Sequence, residues 1–415
     1  MKRPVRCGLV VGLALLGTSG IVFAEPHRIT IQEVMEAAAF RTLPAKIVTE
    51  NVAMAQASRR IAQAELLPRI AASAQVTRNP EELVLDGRTV VRLWDVNAQA
   101  SVSIDLFRGT ALMEWLASGL SLEAAEMDAR WRRAELRVAA ARGFLGVLAA
   151  KRNLEAVMLT LEQRQATLRD AEMRLDAGFG TSADVAKAKL SLVEAQGHRL
   201  EATTALEDAQ AELEWVSGID VSTTGDLDPV LPTFEPAAER ADIAALRLSA
   251  MSIQRSIDGQ WLDFIPILSM VGRAEFGEES LRAPDGVSWT VSFQATWSLY
   301  EPSRYGRLDL LASEARALDL EADSRVQTME YGITKATRAV QTAIGKVTLA
   351  EESLALAEEV QNQVRERFRQ GVTTALEVTD ADVATFRARV GLNVVQLQVD
   401  LARIELAWAT GALDG

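Results

Sequence analysis

Two periodicities divide this chain, and each occurs twice. Trp94, Val96, Ala98, Ala100, Val102, Ile104 and Leu106 alternate with Asp95, Asn97, Gln99, Ser101, Ser103 and Asp105. The alternation returns where Trp289, Val291, Phe293, Ala295, Trp297 and Leu299 interleave with Thr290, Ser292, Gln294, Thr296 and Ser298. Successive side chains of a strand point to opposite faces, so both segments predict strands with one apolar and one polar face. Each has an upstream partner, Ile70–Thr77 after Pro68 and Leu268–Phe276 after Pro266. Strands are therefore expected over 67–78, 91–107, 265–276 and 289–300. Polar loops at 79–90 and 277–288 join them, the second carrying Pro284-Asp285-Gly286.

The second period is helical. No proline lies between Pro80 and Pro229, and none follows Pro302. Helices over 110–177 and 303–370 would each be about 100 Å long at about 1.5 Å per residue. Ala336, Ala343, Ala350 and Ala357 recur every seventh residue, with Ile333, Val340, Val347 and Leu354 between them. An ordinary buried helix does not hold that period for four repeats, whereas a coiled-coil seam does. Ala-rich helical patterns over 30–66 and 237–264 lead into Pro68 and Pro266.

The halves are copies. Arg174-Leu-Asp-Ala-Gly178-Phe-Gly-Thr181-Ser-Ala-Asp184-Val matches Arg367-Phe-Arg-Gln-Gly371-Val-Thr-Thr374-Ala-Leu-Glu377-Val at an offset of 193 residues. The same offset relates Glu212, Trp215 and Gly218 to Glu405, Trp408 and Gly411. An offset held without insertion marks an internal duplication. In each copy Gly stops a helix in the left-handed conformation, and Thr-x-x-Asp/Glu starts the next as a capping box. The tips of two helical hairpins thus fall at about 174–184 and 367–380.

Residues 1–24 read as a secretory leader: basic Lys2, Arg3 and Arg6, apolar Leu9–Leu16, and a small-residue cleavage site ending at Ala24. The single cysteine, Cys7, precedes the apolar run, so lipidation at a following cysteine is not expected. The first repeat then covers 25–218, a linker with Pro229, Pro232 and Pro236 covers 219–236, and the second repeat covers 237–415. The net charge is −13 and becomes more negative once the leader is removed, which argues against a nucleic-acid surface. His27 and His198 are the only histidines, and no spacing suggests catalysis, a cofactor or a metal. Gly178-Phe-Gly180-Thr181 lacks the lysine of a phosphate loop, and the second copy lacks its second glycine.

Strands of this length, apolar on one face and polar on the other, fit a transmembrane β-barrel. Four cannot close one, because the first and last would offer bare edges to lipid. A barrel therefore requires several chains.

The leader, the doubled order of elements and the two tips resemble the TolC-type outer membrane efflux protein family. Ile29-Thr-Ile-Gln-Glu33-Val, Leu67-Pro68, Ile265-Pro266 and the tip Arg-x-x-x-Gly-x-x-Thr-x-x-Asp/Glu-Val carry the resemblance over the whole mature chain. It implies a mainly α protein with a membrane β-barrel: a homotrimer whose 12-stranded barrel lies in outer membrane lipid above a periplasmic α-helical barrel. The function implied is a passive exit duct of a tripartite efflux or type I secretion system. Gly178, Thr181, Asp184, Gly371 and Thr374 would form the tips that dock a periplasmic adaptor protein linked to an inner-membrane transporter. Glu377 and Asp380 would be pore carboxylates; their bland reading is acids at a helix start. A heavy-metal-ion channel of the same fold and a non-transporting periplasmic coiled-coil scaffold are the alternatives.

Three positions depart from the family pattern. The strand-to-helix turn, commonly Leu-Phe-Asp-Gly-Gly, is Leu106-Phe-Arg-Gly109 in one half and Leu299-Tyr-Glu-Pro-Ser-Arg in the other. Thr373 stands where some members carry a closing Arg, and Phe368 offers no hydroxyl. Closure would then fall to Arg174 or Arg367.

Overall fold

The computed structural model describes residues 28–85, 88–91, 93–221, 227–228, 230–276, 287–370 and 372–414. The leader, His27, Pro284-Asp285-Gly286 and Gly371 lie outside the described residues. In chain order the elements are β1 (Ile29–Thr30), α1 (Ile31–Phe40), α2 (Leu43–Ala64), β2 (Arg69–Arg78), β3 (Leu83–Leu85), β4 (Arg88–Val91) and β5 (Trp94–Phe107). There follow α3 (Gly109–Asp176), α4 (Ser182–Ser217), β6 (Leu227–Asp228), α5 (Ala241–Leu262), β7 (Ile267–Phe276), β8 (Val287–Thr296), α6 (Ser303–Arg369) and α7 (Ala375–Ala409).

The sheet is antiparallel in the order β2-β5-β7-β8, so one strand pair from each repeat meets at β5 and β7. Among the described residues its outer strands, β2 and β8, have a neighbour on one side only. β8 stops at Thr296, opposite Ile267, although the alternation runs on to Leu299. Its partner has been exhausted: the residue before Ile267 is Pro266, which has no N–H for a ladder. The Trp297 indole instead donates to the Phe264 carbonyl at 3.0 Å. The polar loop at 79–90 contains a short hairpin of β3 and β4. The helical pattern at 30–66 is broken in two, because Thr42 caps a new helix with Pro44 in its first turn.

Below the sheet the helices stand in rows. α3 packs against α2 and α5 nearer the sheet and against α4 and α7 farther from it, while α6 packs against α5 and α7. α2 and α4 therefore lie at one edge and α6 at the other, matching β2 and β8 above. On α6, Ala336 and Ala343 are buried and Ile333, Val340, Val347, Ala350, Leu354 and Ala357 half-buried, so the seam faces its neighbour.

The unusual turns between sheet and helices are held by ion pairs. Arg108 reaches Glu65 at 3.2 Å and Asp105 at 3.6 Å. Glu301 accepts from Ser303 at 2.8 Å and from Arg307 at 2.6 Å. Gly109 is required by proximity, since a Cβ there would lie 2.4 Å from the Cβ of Leu262.

The best-buried core surrounds the middle of α3, where Phe144 and Val147 meet Ile31 and Val34 of α1, Leu213 of α4 and Ile404 of α7. Full burial of a side chain such as Phe144 contributes about 1.5–3 kcal/mol. Beside it Trp131 and Trp408 stack at 5.3 Å, and Arg240 lies 4.6 Å over Trp131. The Asp414 carboxylate accepts from the Ala241 N–H at 2.8 Å, capping α5 from across the chain. Burial pushes that carboxyl up from its ordinary value, and the Ala241 hydrogen bond opposes the push.

Candidate functional site

At the first tip, the chain turns because Gly178 adopts φ +79°, a conformation that costs other residues about 1–2 kcal/mol. The Phe179 N–H then donates to the Arg174 carbonyl at 2.8 Å, closing the last turn of α3. Thr181 accepts from the Asp184 N–H at 3.2 Å, and its own N–H donates to the Asp184 carboxylate at 3.1 Å. The Thr181 hydroxyl, and secondarily its backbone N–H, hold the Asp184 carboxyl below its ordinary value. A lowered folded value means the cap is at full strength above the ordinary carboxylate range. It is lost as pH falls through the lowered value.

The second tip differs in its cap. The Val372 N–H donates to the Arg367 carbonyl at 3.0 Å, the counterpart of the Phe179 bond. Thr374 accepts from the Glu377 N–H at 3.4 Å. The Glu377 carboxylate accepts from the hydroxyls of both Thr373 and Thr374. Thr373 therefore orients the carboxylate of Glu377. Asp380 lies one turn on, exposed and without a hydrogen bond or ion pair to any described residue.

What joins the two hairpins was only partly visible in the sequence. The Arg174 guanidinium lies 4.0 Å over the Phe368 ring, a cation–π contact between α3 and α6. Above it lies a cluster that sequence reasoning missed. The buried Asp382 carboxylate accepts from Gln361 at 2.8 Å and Arg365 at 2.9 Å, and faces Arg164 at 3.6 Å. Arg164 and Asp382 side chains are only 7% and 2% exposed, and the three partners bring α3, α6 and α7 together. A signal existed: Val378, Ala381, Asp382 and Thr385 are all buried and form one helical stripe, on which a charge needs a partner.

Among the described residues, no three His, Cys, Asp or Glu side chains are gathered as metal ligands. His198 pairs with Glu201 at 3.3 Å on an exposed face.

A duplicated chain that carries a two-faced sheet on paired helices of this length has the TolC-like fold. It belongs to the outer membrane efflux protein family, whose model matches residues 49–218 and 235–412. It is 25% identical over 408 residues to the pyoverdine export outer membrane protein OpmQ of Pseudomonas putida, covering 92% of this chain and 85% of that one. The CmeC outer membrane channel of Campylobacter jejuni superposes with a TM-score of 0.79 at 17% identity, over 92% of this chain and 85% of CmeC. The outer membrane protein VceC of Vibrio cholerae gives 0.79 at 17% identity, over 92% of this chain and 96% of VceC.

Proposed function

We propose that three copies of this chain form the outer membrane exit duct of a tripartite efflux or type I secretion system. The observation that carries this reading is the pair of open edges, β2 with α2 and α4 on one side and β8 with α6 on the other. Each edge has the hydrogen-bonding groups or apolar side chains to receive the other, and rotation about one axis closes such a head-to-tail contact into a ring. A closed ring leaves no strand edge in lipid. The leader, cut after Ala24, would deliver the chain, and the tips with Gly178, Thr181, Asp184, Gly371 and Thr374 would receive a periplasmic adaptor. Energy would come from the inner-membrane transporter. Unheated detergent extracts should migrate far above the 45.1 kDa chain and collapse to it on boiling. A folded monomer in the membrane fraction would refute the ring.

In such a ring, Glu377 and Asp380 of three copies would converge on the axis. Several carboxylates at close range attract cations and repel anions. Multivalent cations added on the periplasmic side should block current through purified channels in planar bilayers. Asp380→Asn should weaken the block with little change in stability, because Asp380 caps nothing. Glu377→Gln should also weaken it, costing only a few tenths of a kcal/mol since Gln still accepts from the threonines. Equal blocking concentrations in wild type and both variants would remove these residues from the pore.

A further inference from the structure

The duplication makes one contact inside the chain a template for a contact between chains. α3 and α6 correspond at the 193-residue offset, as do α4 and α7. Within the chain α3 packs on α7. Its counterpart would be α6 packed on α4, but these lie at opposite edges of the row, so only a second copy can supply it. This inference rests on the ring proposed above.

The residues agree with that placement. Arg142 of α3 pairs with Glu405 of α7 at 3.4 Å. The same offset carries this pair onto Lys335 of α6 and Glu212 of α4, again a cation facing a carboxylate. Neither side chain has a hydrogen bond or ion pair among the described residues. Trp408, stacked on Trp131 of α3, corresponds to Trp215, which is 84% exposed. Trp131 corresponds to Ser324, a small residue on the same exposed face of α6 as Gln327, Tyr331 and Lys335. An exposed indole at one edge and an exposed tyrosine beside a small residue at matching height on the other can cover each other. A rotation about an axis parallel to the helices preserves height, so the two can meet in a ring.

We propose that Lys335 of one copy pairs with Glu212 of the next, while Trp215 of that next copy packs on the face of α6 beside Tyr331. The pair sets the register of neighbouring helices, and the indole supplies the buried apolar anchor.

The test uses membrane-assembled full chain with Cys7→Ser, carrying Lys335→Cys and Glu212→Cys together. A short thiol-specific bifunctional reagent should yield covalent dimers and trimers. Neither single cysteine should do so, nor should Lys335→Cys with Lys189→Cys, where the second site lies about 34 Å lower on α4 at about 1.5 Å per residue. Separately, Lys335→Glu should lower the temperature at which unheated oligomer dissociates, and adding Glu212→Lys should restore it. Trp215→Ala should lower it as well. An oligomer that forms normally but neither crosslinks at this pair nor recovers on charge exchange overturns the pairing and leaves the ring standing. A wild-type chain that is monomeric in the membrane overturns both.

Discussion

Asp382→Ala is expected to loosen the two hairpins from each other near the tips. The substitution leaves Arg164 buried with its carboxylate gone, and breaking a buried ion pair from one side costs about 3–5 kcal/mol. Gln361 loses its acceptor at the same time. Amide exchange in the turns of α3, α6 and α7 around Arg164, Gln361 and Asp382 should accelerate about 100-fold or more, since about 1.4 kcal/mol corresponds to tenfold. The sheet is far from the cluster, so oligomer assembly should persist. Arg365→Ala is the informative control. That guanidinium is 36% exposed, so solvent screens it and its loss should cost less than about 1 kcal/mol. Equal exchange in Asp382→Ala and wild type would show that the cluster holds nothing together. If the hairpins bound a pore as proposed, the same variant should also show larger or more frequent openings in planar bilayers.

Gly178→Val and Gly371→Val should abolish export while leaving the oligomer intact. At Gly178 a Cβ would meet no atom within 4 Å, so crowding is not the obstacle. The obstacle is the backbone: φ +79° is unfavourable for a β-branched residue by about 1–2 kcal/mol or more. The turn would relax by undoing the Phe179-to-Arg174 bond, displacing Phe179, which is 89% exposed at the apex. An adaptor that docks there would lose its surface. Export assays and adaptor crosslinking, run beside unheated electrophoresis, separate loss of docking from loss of assembly. Gly178→Ala should be milder, having no β-branch. Normal export by the valine variants would show that the tips are not the docking surface.

The sequence alone determined the elements whose cause is local. Alternation from Trp94 to Leu106 is a strand in any context where one face is apolar, and Thr181-x-x-Asp184 is a cap because the two side chains lie within reach of each other's N–H. The 193-residue offset likewise revealed two similar halves without reference to packing. Local rules failed where a partner had to be present. The alternation through Leu299 continues past the point at which β7 can pair with β8, and only the register exposes that limit. The break at Thr42 lay inside a segment whose composition favoured one helix, and the hairpin of β3 and β4 inside one whose composition favoured a polar loop. Asp382, Arg164 and Gln361 come from three helices, and their proximity follows from the stagger of α3, α6 and α7. Likewise the cation–π contact of Arg174 with Phe368 joins residues of α3 and α6 that are far apart in the chain. Electrostatic and aromatic contacts depend on distances of a few ångströms between residues far apart in the chain, and only the tertiary structure sets those distances.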